Sequence, residues 1–148
     1  MIAVLQYIDE QTNLKQFYFG TDSFEYVWEK LIDRVYGIKD KYRYFPRTRW
    51  YLKGKVKENF ALEPDSIMLY NGKIYVLDAK YYRYGITGNP MHLPESSSIN
   101  KQITYGEYIY TQERFKREYG EDVPVYNAFL MPYNSAKNVF GLIQYTEI

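Results

Sequence analysis

The sequence predicts an α/β domain in which helices flank a central mixed β-sheet. Residues 21–36 repeat their apolar positions with a helical period, and two short apolar strands flank Asn71-Gly72. A second helical pattern begins near residue 97, and further apolar stretches follow it. Because helices and strands alternate along the chain, we expect the helices to pack on a sheet.

Composition narrows the class of protein further. A chain of 148 residues is long enough for one domain with a real core and too short for two ordinary ones. It has no cysteine, which excludes disulfides, cysteine-ligated metals and thiol catalysis. His92 is the single histidine, which argues against a serine-type triad or a His-rich metal site. No apolar run approaches membrane-spanning length, so we expect a cytoplasmic protein.

The first part of the chain predicts weak strands and then a helix. Apolar stretches at residues 4–8 and 17–19 favour short strands, and Thr21 or Asp22 can cap a helix that Gly37 ends. The apolar stripe of this helix comprises Phe24, Val27, Trp28, Leu31 and Val35. Glu25 and Glu29 lie four residues apart and so share one side. They form either a solvated flank or part of a site.

Residues 39–57 form a strongly basic segment. Eight lysines and arginines oppose a single aspartate there, and aromatic residues are interleaved with them. Lys53, Lys55 and Lys57 alternate, so on a strand they would project from one face. This pattern fits a surface that follows a phosphate backbone. The alternative is an edge strand protected from aggregation by its lysines.

Asn71-Gly72 predicts a β-hairpin between strands at residues 66–70 and 73–80, because this dipeptide accepts the positive φ values of a type I′ turn. A Gly-, Pro- and Ser-rich loop at residues 84–98 follows. Ser97 or Ser98 is then expected to cap a helix that runs to about Tyr119. Late strands are expected at residues 125–131 and 139–146.

The hairpin brings two carboxylates together. A two-residue loop pairs Tyr70 with Lys73 and, continued outward, Asp65 with Asp78. Alternation places both aspartates, and then Lys80, on the same face as apolar neighbours.

Directly opposed like charges destabilise a sheet, and desolvation increases their repulsion. A shared proton, the ammonium of Lys80 or a divalent cation could offset it. Carboxylate oxygens without cysteine favour Mg²⁺ over zinc. The alternative is a frayed hairpin end at which both aspartates reach solvent.

At these residues the sequence resembles a known family. Glu63-Pro64-Asp65, twelve intervening residues and Asp78-Ala79-Lys80 are similar to the PD-(D/E)XK nuclease motif. The segments FEYVWEKLID, IYVLDAKYY, INKQITY and AFLMPYN resemble the catalytic domain of LlaJI-type restriction endonucleases, and the similarity covers about residues 20–134.

The resemblance implies a restriction-endonuclease-like fold and a set of roles. Asp65 and Asp78 would bind Mg²⁺ with help from the carbonyl of Ala79, and Lys80 would orient or activate water or stabilise the transition state. Glu25 would assist the metal site, with Glu29 as the rival assignment. Gln102 would line the site. The Gln-x-x-x-Tyr motif of RecB-like relatives is absent, because Tyr105 is the third residue after Gln102 and Gly106 the fourth.

The expected function is Mg²⁺-dependent hydrolysis of double-stranded DNA by a type II restriction enzyme in host defence. Alternatives are a DNA-binding module with a vestigial nuclease site and a structure-directed repair or recombination nuclease. We expect residues 1–148 to form one catalytic domain, with DNA recognition in another domain or subunit, and we expect a homodimer. DNA contacts are expected from Arg47, Arg49, Lys53, Lys55, Lys57 and Lys101, and the loop at residues 84–98 could close over DNA.

Overall fold

The computed structural model describes residues 23–133. Its elements are α1 Phe24–Tyr36, β1 Arg49–Leu52, β2 Lys55–Glu58, β3 Ser66–Tyr70, β4 Lys73–Ala79, α2 Tyr84–Thr87, α3 Ser96–Thr111, α4 Glu113–Tyr119 and β5 Val125–Leu130. Short 3₁₀ turns lie at Lys41–Tyr44 and Pro90–His92. The strands expected before residue 20 and at 139–146, and the caps Thr21 and Asp22, lie outside the described residues. No described helix has the length and apolar character to cross a membrane.

The main sheet has three strands and is mixed, as the sequence predicts. β4 is central, with β3 antiparallel on one side and β5 parallel on the other. Asn71 and Gly72 both have positive φ, at 49° and 69°. The register runs from Tyr70 opposite Lys73 to Ser66 opposite Leu77. The hairpin and its register are therefore confirmed.

Helices cover both faces of this sheet, so β4 is buried on both sides. Ile74 and Val76 point into a core that contains Tyr105 and Ile109 of α3. The alternate residue Leu77 points into a second core with Ile32 of α1. This two-sided burial explains the nearly continuous apolar run of β4.

The orientation of α1 differs from the predicted stripe. Ile32 is buried and Trp28 packs beside it, whereas Leu31 and Val35 are exposed. The Trp28 indole N–H donates to the carbonyl of Leu130 at 2.9 Å, which fixes the rotation of the helix on the sheet. Gly37 ends α1 without a left-handed φ, and a Cβ there would lie 2.5 Å from the Ser66 hydroxyl. Close packing therefore requires this glycine.

The predicted second helix is two helices. It begins at Ser96, and Gln112 interrupts it with an extended backbone at φ −82° and ψ 117°. The break allows Phe115 of α4 to enter the core, where its ring stacks on Tyr44 with centroids 4.7 Å apart. The loop at residues 84–98 likewise contains α2 and a 3₁₀ turn rather than irregular chain alone.

The basic segment ends in a second hairpin. Among the described strands, β1 and β2 pair only with each other, and every residue of both strands is exposed. The prediction that Lys53, Lys55 and Lys57 share one strand face is wrong for Lys53, which lies in the turn with Gly54. Gly54 has a φ of 73°, which makes this tight reversal possible. We call residues 47–58 the basic arm.

Candidate active site

Asp65 and Asp78 meet at the end of the β3–β4 hairpin. The regular ladder stops at Ser66 and Leu77, and these aspartates are the next pair outward. An Oδ2 atom of Asp65 accepts the backbone N–H of Ala79 at 2.7 Å, so its carboxylate continues the ladder where the strand backbone has ended. Asp78 is buried, at 6% exposure. The pair predicted from the turn residues is therefore present and is not a frayed end.

Burial and the neighbouring charge raise the pKa of Asp65 to about 7. Desolvation is the main cause, and the charge of Asp78 adds to it. The N–H of Ala79 acts in the opposite direction because it stabilises the ionised form. Asp65 therefore carries the conflict that the sequence predicts for two buried carboxylates side by side.

Lys80 supplies part of the compensation. Its Nζ lies 2.6 Å from Oδ1 of Asp78, two residues earlier on the same face. The contact is an ion pair, and Oδ1 of Asp78 has no aligned hydrogen-bond donor among the described residues. Burial lowers the pKa of Lys80, but its close contact with the charged Asp78, together with the charge of Asp65, outweighs burial and raises that pKa above its ordinary value. Lys80 is therefore a cation at neutral pH.

Lys41 braces the start of β3 and is not predicted as a site residue. Its Nζ donates to the backbone carbonyl of Asp65 at 2.7 Å and lies 2.7 Å from Oδ2 of Asp33 on α1. The ammonium thus ties the first helix to the strand that presents Asp65. The sequence shows Lys41 as one of eight basic residues, and no local pattern separates it from the rest.

The two candidate glutamates of α1 differ in their surroundings. Glu29 is half-buried, and its charge contributes to the raised pKa of Asp65. Glu25 is exposed one turn earlier. The surroundings therefore favour Glu29, the rival assignment, over Glu25 as the α1 glutamate that influences the aspartates.

Gln102 and Tyr105 belong to α3, the helix that packs on β4 and β5. Gln102 is buried, and its Nε2 donates to the carbonyl of Ala128 at 3.3 Å, while its Oε1 has no hydrogen-bond partner among the described residues. Burial raises the pKa of Tyr105, and the charges of Asp78 and Asp65 raise it further. Tyr105 is a further residue beside the site. The sequence feature that could have identified Tyr105 is its three-residue spacing from Gln102, which places both residues on one helix face.

The predicted DNA-binding residues are exposed, unlike Asp65 and Asp78, and none of them is adjacent to these aspartates in sequence. Trp50 faces Lys57 and Leu52 faces Lys55 across the basic arm, so these four share one face. Arg49 pairs with Glu58 at 3.3 Å on the other face. Arg47 and Lys101 are exposed, the first ahead of β1 and the second beside Gln102 on α3.

A cavity of about 300 Å³ opens directly after Lys80. Tyr81, Tyr82 and Arg83 line one side, and Met91, His92, Leu93 and Glu95 line the other. The Thr87 hydroxyl donates to the carbonyl of Arg83 and lies 2.8 Å from Nδ1 of His92. Since that hydroxyl has only one proton, Nδ1 of His92 is the donor. The segment that follows Lys80 in sequence therefore surrounds a cavity to which neither aspartate contributes a wall.

The donor set of the pair fits a hard divalent cation. It consists of carboxylate oxygens, one of them without a hydrogen bond, and the carbonyl of Ala79 is adjacent in sequence. No group of three or more acidic, histidine or cysteine side chains is arranged as a metal site within residues 23–133. A cation here would therefore depend on two carboxylates, backbone and water, as is common for Mg²⁺.

One comparison with known proteins is decisive. The family model for the LlaJI restriction endonuclease matches residues 1–148, the whole chain. The chain belongs to the LlaJI restriction endonuclease family. No curated protein and no solved structure matches it. Family membership makes it a restriction-type nuclease whose substrate is DNA.

Proposed function

We propose that this chain is the catalytic domain of a type II restriction enzyme and hydrolyses phosphodiester bonds of double-stranded DNA with Mg²⁺. The observation that carries the proposal is the Asp65–Asp78 pair with Lys80 at 2.6 Å from Asp78, at the end of a buried hairpin. The match to the restriction endonuclease family supports it. So does the sequence order of Asp65, Asp78 and Lys80, which follows the PD-(D/E)XK pattern.

Asp65 and Asp78 would hold the Mg²⁺, with the carbonyl of Ala79 as a further ligand. When bound, the cation neutralises negative charge on the phosphoryl oxygens. A cation held there would also oppose the desolvation and the charge repulsion that raise the pKa of Asp65, so its binding and the deprotonation of that carboxyl would be coupled. Of the helix glutamates, Glu29 is the better candidate to support this carboxylate from α1.

Lys80 acts as a fixed positive charge. An ammonium whose pKa is raised does not serve as a general base at neutral pH, so the role left to it is to orient the attacking water and stabilise the developing phosphoryl charge. Gln102, whose Oε1 lacks a partner, would orient water or substrate from α3. The exposed basic arm and Lys101 would hold the DNA backbone.

Cleavage by matched aspartate variants tests this proposal. Purified wild-type chain, Asp78→Asn and the control Asp122→Asn are incubated with duplex DNA in Mg²⁺ and in EDTA. Asp122 is exposed in the turn before β5, so its substitution changes the charge equally without touching the site. We expect Mg²⁺-dependent cleavage that Asp78→Asn slows by about 100- to 1,000-fold and that the control preserves. Equal rates for wild type and Asp78→Asn would refute the assignment.

Cleavage of both strands requires two such sites on one DNA duplex. We therefore propose that two copies of the chain act together, with target recognition supplied by a further domain or subunit. Light scattering of the chain with and without duplex DNA tests this assembly. We expect a 2:1 complex on DNA, and a 1:1 complex that cuts both strands at once would contradict it.

A further inference from the structure

A second cavity of about 340 Å³ includes Arg47, the first residue of the basic arm, and shares no residue with the aspartate site. The 3₁₀ turn, the segment before β1, α3 and α4 contribute its walls. Its lining consists of three aromatic and three guanidinium side chains, Tyr42, Arg43, Phe45, Arg47, Tyr108 and Arg114. We call it the arginine cleft. Its volume falls in the range of small-ligand sites.

Two of the three guanidinium groups have no counter-ion within residues 23–133. Arg43 forms a two-pronged ion pair with Glu118, so its charge is neutralised. Arg114 donates to the carbonyl of Arg43 and to the Tyr108 hydroxyl, both uncharged acceptors. Arg47 is exposed and makes no hydrogen bond or ion pair with the described residues. The cleft therefore has an excess of positive charge that suits an anion.

The Arg114 guanidinium is held in place before any ligand binds. It lies 4.6 Å from the ring centroid of Phe115, which is fully buried, and 6.0 Å from that of Tyr108. A guanidinium fixed in this way loses little side-chain entropy when it contacts a phosphate. The ring of Tyr42 provides a flat wall of the cleft. It is 61% exposed, and it packs in an edge-to-face arrangement with Phe45, with the ring centroids 5.5 Å apart.

We propose that the arginine cleft binds one nucleotide, with its phosphate on Arg47 and Arg114 and its base stacked on Tyr42. A nucleotide within a DNA strand and a free mononucleotide share this chemistry. The strand is favoured, because Arg47 is the first residue of the basic arm and a bound strand would continue along it. The choice of DNA rests on the proposed function, whereas the site itself is separate from the aspartates.

Paired arginine variants test the cleft. Affinity for a fluorescent single strand and for a duplex is measured by anisotropy in EDTA, where no cleavage occurs. Arg114→Gln is compared with Arg117→Gln, which removes the same charge from an exposed position of the same helix. We expect Arg114→Gln to weaken binding about ten-fold, the cost of a charge-assisted contact, and Arg117→Gln to have little effect. Equal losses would refute the cleft, because bulk charge would then explain both.

Arg47→Gln gives an independent test that does not depend on the folding of the Arg114 variant, since Arg47 is exposed and makes no hydrogen bond or ion pair with the described residues. We expect a loss of similar size and a salt slope lowered by about 0.7–0.9; unchanged affinity for strand and duplex would refute the proposal. Competition with deoxyadenosine monophosphate distinguishes a free nucleotide from a DNA strand. If it displaces the strand and this displacement requires Arg47, a free nucleotide is sufficient for binding. If it does not displace the strand, and strand binding still depends on Arg47, the cleft is assigned to DNA. Failure of cleavage with this binding intact would refute only the catalytic proposal.

Discussion

At the scale of single residues, the site is a balance among Asp65, Asp78, Lys80 and Lys41. Asp78 obtains an ammonium from Lys80, whereas Asp65 obtains only a backbone N–H and so has its pKa raised to about 7. The folded chain thus keeps a carboxyl that resists ionisation until the environment changes. This is the usual condition of functional carboxyls, which are held in an unfavourable state by the surrounding fold.

The raised pKa of Asp65 predicts a pH-dependent cost to stability. The unfolded chain releases this proton near pH 4, and the folded chain retains it up to about pH 7. Stability therefore falls as pH rises through this window and is constant above it. After allowance for solvent screening we expect a loss of about 1–2 kcal/mol in the wild type relative to Asp65→Asn.

Urea unfolding at pH 4.5, 6 and 8 measures this difference. The amide oxygen of Asp65→Asn can still accept the Ala79 N–H, so the variant isolates the charge. A stability difference between the two proteins that does not change with pH would show that Asp65 ionises normally.

The contacts of Lys41 predict that its replacement lowers the free energy of unfolding. Lys41→Met leaves the partly buried carboxylate of Asp33 unpaired and removes the donor to the Asp65 carbonyl. We expect a loss of about 2–3 kcal/mol in the free energy of unfolding. The exposed neighbour Lys39 is the control, and Lys39→Met should change stability by less than about 0.5 kcal/mol. Equal effects of the two substitutions would show that Lys41 does not brace the start of β3.

At the scale of elements, Gly106 makes room where α3 meets the sheet. A Cβ on Gly106 would lie 2.5–2.9 Å from the side-chain amide of Asn127 on β5. Asn127 is exposed, so this flexible amide can move aside at modest cost. Gln102 of the same helix donates to the carbonyl of the next strand residue, Ala128.

Gly106→Ala should lower stability by less than about 1 kcal/mol, because the exposed amide of Asn127 can turn away and the gain in helix propensity offsets part of the cost. Asn127→Ala removes the atoms that clash, so the double variant should recover most of the loss. Thermal unfolding of the four proteins measures this coupling. Additive effects of the two substitutions would contradict the close approach.

The basic arm predicts an effect on DNA binding without one on folding. Lys55→Gln with Lys57→Gln should lower the slope of log affinity against log salt by about 1.8, two phosphate contacts in duplex DNA. Stability should change by less than about 0.5 kcal/mol, because the strand residues are exposed. Lys30→Gln, an exposed lysine on α1, is the control. If the double variant left the slope unchanged, the basic arm would not be part of the DNA-binding surface.

Local signals predict the elements that depend on local geometry. Asn71-Gly72 fixes a turn, the turn fixes the register, and the register places Asp65 beside Asp78. The break at Gln112 has no such signal, because it is decided by Phe115 packing on Tyr44 far along the chain. Gly54 offers a turn signal within the basic arm, yet the alternating lysines around it favour an uninterrupted strand.

Lys41 illustrates the same limit within the site. Its two contacts, to Asp33 and to the Asp65 carbonyl, join segments that meet only in the folded chain. Sequence pattern identifies its charge and cannot assign its partners. Residues whose roles arise from such long-range contacts are therefore the part of the site that the structure adds.

At the scale of the whole molecule, the near-zero net charge conceals a separation. The chain carries a formal charge of +1, yet residues 39–57 have eight basic residues against one acidic. The basic arm and the arginine cleft collect positive charge near one stretch of sequence, and the hairpin end collects carboxylates at another. Such a division suits a protein that attracts a polyanion and binds a cation at a separate point.

The proposed function requires Asp65 and Asp78 to hold a divalent cation together. Isothermal titration of the whole chain with Mg²⁺ tests it, at pH 6 and pH 8. We predict one site per chain, binding that is tighter at pH 8 because Asp65 must lose its proton, and loss of that site in Asp65→Asn but not in Asp122→Asn. Equal Mg²⁺ binding by the wild type and Asp65→Asn, or none by either at millimolar concentration, would contradict the account.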